Sequence, residues 1–389
     1  VNGPPRAEDL FSPPLSAMRR RIGRKWSRDG GEVLPAWIAD MDFLPAPAIR
    51  ETLAEALAIG DLGYGPVADA SGLPEAFAAW ALRRWAWTPD PASVMVMPDV
   101  VGGLANCIEA FSKPGDGILV QVPAYPPLMS SVRTAGRRLI EHPLGADGIG
   151  LENLAQVLRR ERPKLIILCH PHNPTGRVFE EAELRCLAAL ALESGAVVIS
   201  DEVHADLTLD GRRHVPFASL GVDVAARTVT LNAASKAFNV AGLRTAVCVA
   251  EDPLRAKLKA LPSTRWNAFS TLGVRASLAA WSQTGEAWQT ACVAHLERMR
   301  GLLIRRLPEA CPGLEWRPPD AGYLAWLDCR RLATDQEPAA YFLERARVAL
   351  SPGSDFGAPG RGHARLNFAT SEAVLDAIVD RLAGAWNVR

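Results

Sequence analysis

The stretch "TLNAASKAFNVAGLRTAV", residues 230–247, holds two β-like ends joined by small residues, with Lys236 just past the first and Arg244 just before the second. Lysine is ordinarily a surface residue. Here it follows an apolar run, where a strand would deliver its amine to the end of a sheet. Similar runs recur along the chain: "SVMVM" (93–97), "GILVQV" (117–122), "KLIILC" (164–169), "AVVIS" (196–200), "TVTLN" (228–232) and "TAVCVA" (245–250). Most are apolar throughout rather than alternating, which suits strands covered on both faces, as in parallel sheets. Helical patterns such as "GGLANCIEAF" and "EEAELRCLAALALES" separate several of them. Strand–helix alternation predicts an α/β domain with a mostly parallel, doubly wound sheet.

In open α/β sheets ligands bind beyond the carboxyl ends of the strands. After "SVMVM" comes "PDVVGG", a small turn opening a helix; after "GILVQV" comes "PAYPP", with Tyr125. After "KLIILC" comes "HPHNPTG", with Asn173; after "AVVIS" comes Asp201 in "DEVHADL"; after "TVTLN" comes "AASK", with Lys236. An anion-friendly helix start, an aromatic ring, an amide, a carboxylate and an amine thus converge on one crevice. The chemistry that needs this set is that of a pyridine aldehyde phosphate. The lysine condenses with the aldehyde, the carboxylate holds the ring nitrogen protonated, the amide bonds the ring hydroxyl and the aromatic stacks on the ring. Helix N–H groups and an arginine take the phosphate. A cationic ring nearby and partial desolvation would favour the neutral amine of Lys236.

The rest of the chain bounds this reading. Its 389 residues are 48% hydrophobic, enough for one large core or two domains. Forty-three basic and 43 acidic residues cancel and are interspersed, so nothing argues for nucleic acid or an anionic membrane as partner. Apolar runs of about six residues are far short of a membrane span, and "VNGPPRAEDLF" has no secretory pattern. Seven scattered cysteines without a CxxC pair read as reduced thiols, and a cytoplasmic enzyme is the expectation. Residues 1–45 read as an N-terminal arm and part of a small domain, 46–280 as the large domain, and 281–389 as a smaller α+β domain. The last contains the helical "EAWQTACVAHLERMRGLLIRRL" and the strand-like "GYLAWLD" and "HARLNFA". "HPH" invites a metal reading, but adjacent prolines and the lack of a third ligand oppose it.

"HPHNPTG", "SDEVHADL", "SKAFNVAGLR" and "HARLNFA" resemble, in order and spacing, the fold-type I pyridoxal-phosphate enzymes of the aminotransferase class I/II family. "WIADMDF" (37–43), and histidine rather than tyrosine in "DEVH", resemble its cystathionine β-lyase-like carbon–sulfur lyase branch. The resemblance implies that Lys236 carries the cofactor, Asp201 pairs the ring nitrogen, Asn173 bonds the ring hydroxyl with His204 near it, and Tyr125 stacks. Val101 and Gly102 would give backbone N–H groups to the phosphate, Arg244 would bind it, and Tyr64 in "GYGP" would reach it from the partner subunit of a homodimer. Arg365 would grip the carboxylate of an amino-acid substrate, with Trp37, Trp266 and Asn267 as further substrate contacts.

Three departures stand out, the first being His170 in "HPHNPTG", where asparagine is commoner. Ala233 occupies a position where many members have a phosphate-binding serine, and "STRWNAFSTLG" (263–273) places a tryptophan–asparagine pair where smaller residues are usual. The leading expectation is β-elimination from a cysteine S-conjugate, giving thiol, pyruvate and ammonia. An aminotransferase, or an enzyme breaking another bond at Cα by decarboxylation or oxidative deamination, would use the same residues. A regulatory binding protein on this fold is the alternative from another class.

Overall fold

The computed structural model describes residues 10–66, 70–145 and 148–386. Residues 1–9 of the expected arm, and 387–389, lie outside the described residues. A two-residue strand, β1 (Leu34–Pro35), is followed by the strands of one large sheet: β2 (Val94–Met97), β3 (Gly117–Val122), β4 (Arg138–Pro143), β5 (Leu165–Cys169), β6 (Val197–Asp201), β7 (Thr228–Asn232) and β8 (Ala246–Ala250). Their spatial order is β2-β8-β7-β6-β5-β3-β4.

All six runs read from the sequence are in this sheet. The seventh strand, β4, was not foreseen. It lies at the edge, with Ile140 and His142 buried while Arg138, Glu141 and Pro143 face solvent, so its pattern is that of a mixed polar segment. In the inner strands side chains alternate between two cores, as a pleated strand requires. Ile118, Val120, Leu165 and Ile167 pack into one apolar cluster, and Leu119, Ile166 and Leu168 into the other.

Strand direction fixes where the chemistry can gather. β3, β5, β6 and β7 are parallel. β8 is antiparallel to β7, and β2 is antiparallel to β8, so β2 points the same way as the parallel set. The carboxyl ends of β2, β3, β5, β6 and β7 therefore share one edge, and the reversed β8 brings its amino end, with Arg244 and Thr245, to that edge as well. The helix Val100–Phe111 seats closely on β2, because a Cβ at Gly103 would lie 2.3 Å from the Met97 sulfur.

The smaller unit is an antiparallel sheet of β9 (Glu315–Trp316), β10 (Leu324–Asp328), β12 (Ser351–Pro352) and β13 (His363–Asn367), in the order β12-β13-β10-β9. The helices Gln283–Ala310, Pro338–Ala346 and Glu372–Ala385 accompany it. The arm joins it through β1, which pairs in parallel with β11 (Val348–Ala349).

Past β1, residues 37–43 cross to the sheet edge as a strap. Asn367 donates its side-chain amide to the carbonyls of Ile38 and Asp40, both at 2.7 Å. Asn239, at φ +56° in the lysine segment, accepts from the Met41 N–H at 2.9 Å and donates to the Met41 carbonyl at 2.8 Å. Asp42 is buried and takes the Trp26 indole N–H at 2.7 Å and the Lys25 ammonium at 3.0 Å. "WIADMDF" is thereby tied to both structural units.

Candidate active site

A crevice of about 520 Å³ opens at the shared strand edge. It is lined by Tyr125, Asn173, Asp201, His204, Lys236, Arg244 and Arg365, by Val100 and Val101, and by Ile38, Ala39 and Asp40 of the strap. The Lys236 ammonium donates to the Ala39 carbonyl at 2.9 Å, and the buried Tyr323 hydroxyl donates to the same oxygen at 3.0 Å. Burial lowers the Lys236 pKa. The Arg365 cation adds to the lowering, while the carboxylates of Asp40 and Asp201 oppose it.

Asp201 is the last residue of β6 and is buried. Burial raises its carboxyl from the ordinary 3.8 to about 6, against the Val203 N–H at 3.2 Å and the Lys236 charge. The layer behind it is polar and tightly bonded. Glu202, also buried, accepts from the Ser200 hydroxyl at 2.8 Å and the Phe217 N–H at 3.0 Å, with His214 at 2.8 Å. The Asn232 amide donates to the Glu202 carbonyl at 3.1 Å, and the Trp80 indole donates to Asp206 at 3.1 Å. Such a layer holds a side chain by packing and bonding rather than by loop geometry.

Arg365, on β13, reaches the crevice from the smaller unit. It donates to the Asn173 side-chain oxygen at 2.9 Å, to the Trp37 carbonyl at 3.0 Å and to the Ser351 hydroxyl at 3.2 Å. Its Nε has no partner among the described residues. Burial brings its pKa down to about 10, so it stays cationic at neutral pH. Because the Asn173 oxygen is taken, its amide is left as the donor. His204 is held as a neutral imidazole, its pKa pushed down to about 3 by burial and then by the charges of Lys236 and Arg365.

At the other end Val100 and Val101 open a helix, and their N–H groups find no acceptor among the described residues. The Gly102 N–H is engaged by the Asp99 side chain at 2.9 Å, and the other Asp99 oxygen takes Arg244. Ser235, Thr245 and Ala233 also line the crevice.

Four expected residues stand elsewhere. The Trp266 indole is buried in the core between sheet and helices and donates to the Leu258 carbonyl at 3.2 Å, so it is a packing residue of its own chain. Asn267, beside it, is exposed and does not line the crevice. Trp37 lines the crevice through neither ring nor edge. It contributes its main-chain carbonyl to Arg365, while its ring stacks under Arg28 at 3.8 Å. Tyr64 is fully exposed and does not line its own crevice. Sequence reasoning did not single out Asp40, Arg24, Asp99, Ser235 and Tyr323. Asp40 lies in "WIADMDF" and Ser235 directly precedes Lys236, so both carried a positional signal; Tyr323 and Arg24 carried none.

The set fits an aldehyde-bearing cationic ring with a phosphate. It offers an amine of lowered pKa, a buried carboxylate, an amide donor, and at the far end free N–H groups with an arginine.

The comparisons with known proteins agree. The profile of the aminotransferase class I and II family matches residues 38–382. The chain is 37% identical to a cystathionine beta-lyase of Bacillus subtilis, over 93% of this chain and 96% of that one. Cystalysin from Treponema denticola, whose crystal structure contains pyridoxal 5'-phosphate, superposes with a TM-score of 0.90 at 28% identity, covering 96% of this chain and 98% of that one. The pyridoxal-phosphate-bound C–S lyase of Staphylococcus hominis gives a TM-score of 0.88 at 27% identity over 98% of both chains. With the strand-end residues, the crevice and these likenesses in agreement, the chain belongs to the aminotransferase class I and II family.

Proposed function

We propose that this protein is a pyridoxal-phosphate-dependent carbon–sulfur lyase, cleaving the Cβ–S bond of S-substituted cysteines to give thiol, pyruvate and ammonia. The observation that carries the reading is the meeting of Lys236, Asp201 and Arg365 in one crevice. The choice of lyase over other reactions of the family rests on the likeness to carbon–sulfur lyases.

When bound, pyridoxal phosphate supplies an aldehyde for covalent attachment of amines and an electron-withdrawing ring that stores charge released at Cα. Lys236 would hold it covalently, Asp201 would keep the ring nitrogen protonated, Asn173 would donate to the ring hydroxyl with neutral His204 beside it, and Tyr125 would cover the ring. Val101, Arg244 and Ser235 would hold the phosphate. The Gly102 N–H, bonded to Asp99 at 2.9 Å, would join them only if released by that carboxylate.

Arg365 fixes the substrate carboxylate, which orients the Cα–H bond. Its own bonds to Asn173, Trp37 and Ser351 keep the fork in place, so little side-chain entropy is lost on binding. Once the substrate's amine has taken its place and left its own amine free, Lys236, its pKa lowered by burial, would accept the Cα proton as general base. Asp40 and Arg24 line the crevice and face the rest of the substrate.

A homodimer is part of the proposal. Leu57, Ile59, Leu62 and Tyr64 form an exposed apolar run, of the kind that marks an interface, and Tyr64 would reach the partner's phosphate end. A cytoplasmic location rests on seven unpaired cysteines, six of them buried. No helix among the described residues is long and apolar enough to cross a membrane.

The test is incubation with cystathionine and a series of S-alkyl cysteines in the absence of any keto acid. Sustained release of pyruvate and thiol supports the lyase. Turnover that stops after one equivalent and resumes on adding a keto acid makes the protein an aminotransferase. Carbon dioxide or hydrogen peroxide with the thioether intact overturns both.

A further inference from the structure

Asp99 sits where the phosphate end of the crevice needs positive charge. It is the residue before the helix Val100–Phe111, and one carboxylate oxygen accepts the Gly102 N–H at 2.9 Å. The other oxygen accepts from Arg244. These are two of the donors that the proposed function assigns to the cofactor phosphate. The carboxylate thus satisfies, from within the chain, donors that an incoming phosphate requires. It also places a negative charge at the helix start, where an anion is favoured by the helix dipole. No hydroxyl at Ala233 offsets this, because that position carries only a methyl group.

Both partners have room to move. The Arg244 side chain is 60% exposed and that of Asp99 24%. The pair is therefore not locked in a core, and the Asp99 side chain can swing away from both donors. While it remains, a phosphate brought to the same donors meets a like charge at close range, which is unfavourable.

We propose that Asp99 is a built-in competitor for the cofactor phosphate: its carboxylate occupies Arg244 and the Gly102 N–H in the cofactor-free chain and must leave them as the cofactor loads, so that the enzyme holds its cofactor less tightly than its other donors would allow. This rests on the reading of Arg244 and the helix start as the phosphate end.

The experiment measures dissociation constants on full-length protein freed of cofactor. Pyridoxal phosphate, inorganic phosphate and phosphate-free pyridoxal are each titrated by quenching of tryptophan fluorescence. Asp99→Asn keeps the helix cap, since asparagine caps as well as aspartate, and removes the charge. Asp99→Ser keeps a cap and also removes the reach to Arg244. Both variants are expected to bind pyridoxal phosphate at least about tenfold more tightly than the parent, equivalent to about 1.4 kcal/mol, with pyridoxal unchanged. Inorganic phosphate should tighten in the same direction. Equal or weaker binding of pyridoxal phosphate by both variants overturns the proposal, as does an equal tightening of pyridoxal.

Arg244→Ala separates the two layers of the argument. If it weakens pyridoxal phosphate binding while neither Asp99 variant tightens it, the phosphate site stands and the competition fails. If it leaves the affinity of the parent unchanged, the phosphate end has been placed wrongly and the proposal falls with it.

Discussion

Asp201→Asn should make the cofactor-free protein more stable while disabling the enzyme. Burial moves the Asp201 carboxyl from 3.8 to about 6 in the folded chain. A carboxyl whose folded pKa is raised favours the folded state when protonated. That contribution is fully present below pH 3.8 and is lost as the pH rises through 6. A difference of about 2.2 pKa units at 1.36 kcal/mol each gives about 3 kcal/mol of destabilisation at pH 8 and about half of that at pH 5. Asparagine carries no charge to desolvate, and its oxygen can still accept the Val203 N–H. For a 389-residue chain the ordinary unfolding entropy per residue turns 3 kcal/mol into a rise in Tm of about 4 °C. The assay is thermal and urea unfolding of the cofactor-free parent and variant at pH 5 and pH 8, with pyruvate release by the loaded proteins alongside. Turnover should fall by roughly 10²–10⁴-fold, the range for a misplaced proton in acid–base catalysis. If the variant is no more stable at pH 8, or gains as much at pH 5, Asp201 does not carry the desolvated charge argued here. If it turns over at the parental rate, it is not the partner of the ring nitrogen.

Arg365→Lys should lower kcat/KM for S-substituted cysteines by roughly ten- to hundredfold, the loss of a charged forked hydrogen bond of about 1.5–3 kcal/mol; amines lacking the carboxylate should react equally with both proteins. Trp266→Ala should cost about 3–5 kcal/mol in urea unfolding, as for a large core aromatic, while Asn267→Ala is neutral. A large change in substrate preference with unchanged stability would return Trp266 to the substrate site. Mixing Lys236→Ala and Tyr64→Ala subunits should restore activity to about a quarter of the parent, because half of the mixed dimers are hybrids with one intact site; no recovery would refute shared sites.

The sequence alone was enough for six of the seven strands of the sheet and for the residues at their ends, because both depend on short-range patterns. Continuous apolar runs mark strands buried on two faces, and the residue after each run must sit at the end of that strand. Lys236, Asp201, Asn173 and Tyr125 could be placed in this way without knowledge of the strand order. The edge strand β4 escaped because its exposed half carries Arg138 and Glu141, and alternation over so few residues does not stand out from a loop.

Tertiary structure decided what depends on partners far away in the chain. Arg365 becomes a held fork only where β13 meets Asn173, 192 residues earlier. The strap became part of the site through Asn239 and Asn367, which bond its backbone across more than 190 positions. Whether Trp266 faced substrate or core turned on the carbonyl of Leu258 and the packing around it. The Asp99–Arg244 pair spans 145 positions and exists because β8 runs against its neighbours, bringing its first residues to the edge where the helix after β2 begins. Local pattern reveals which side chains reach the end of a strand; strand direction and order determine which of them meet, and that follows from the packing of the whole sheet.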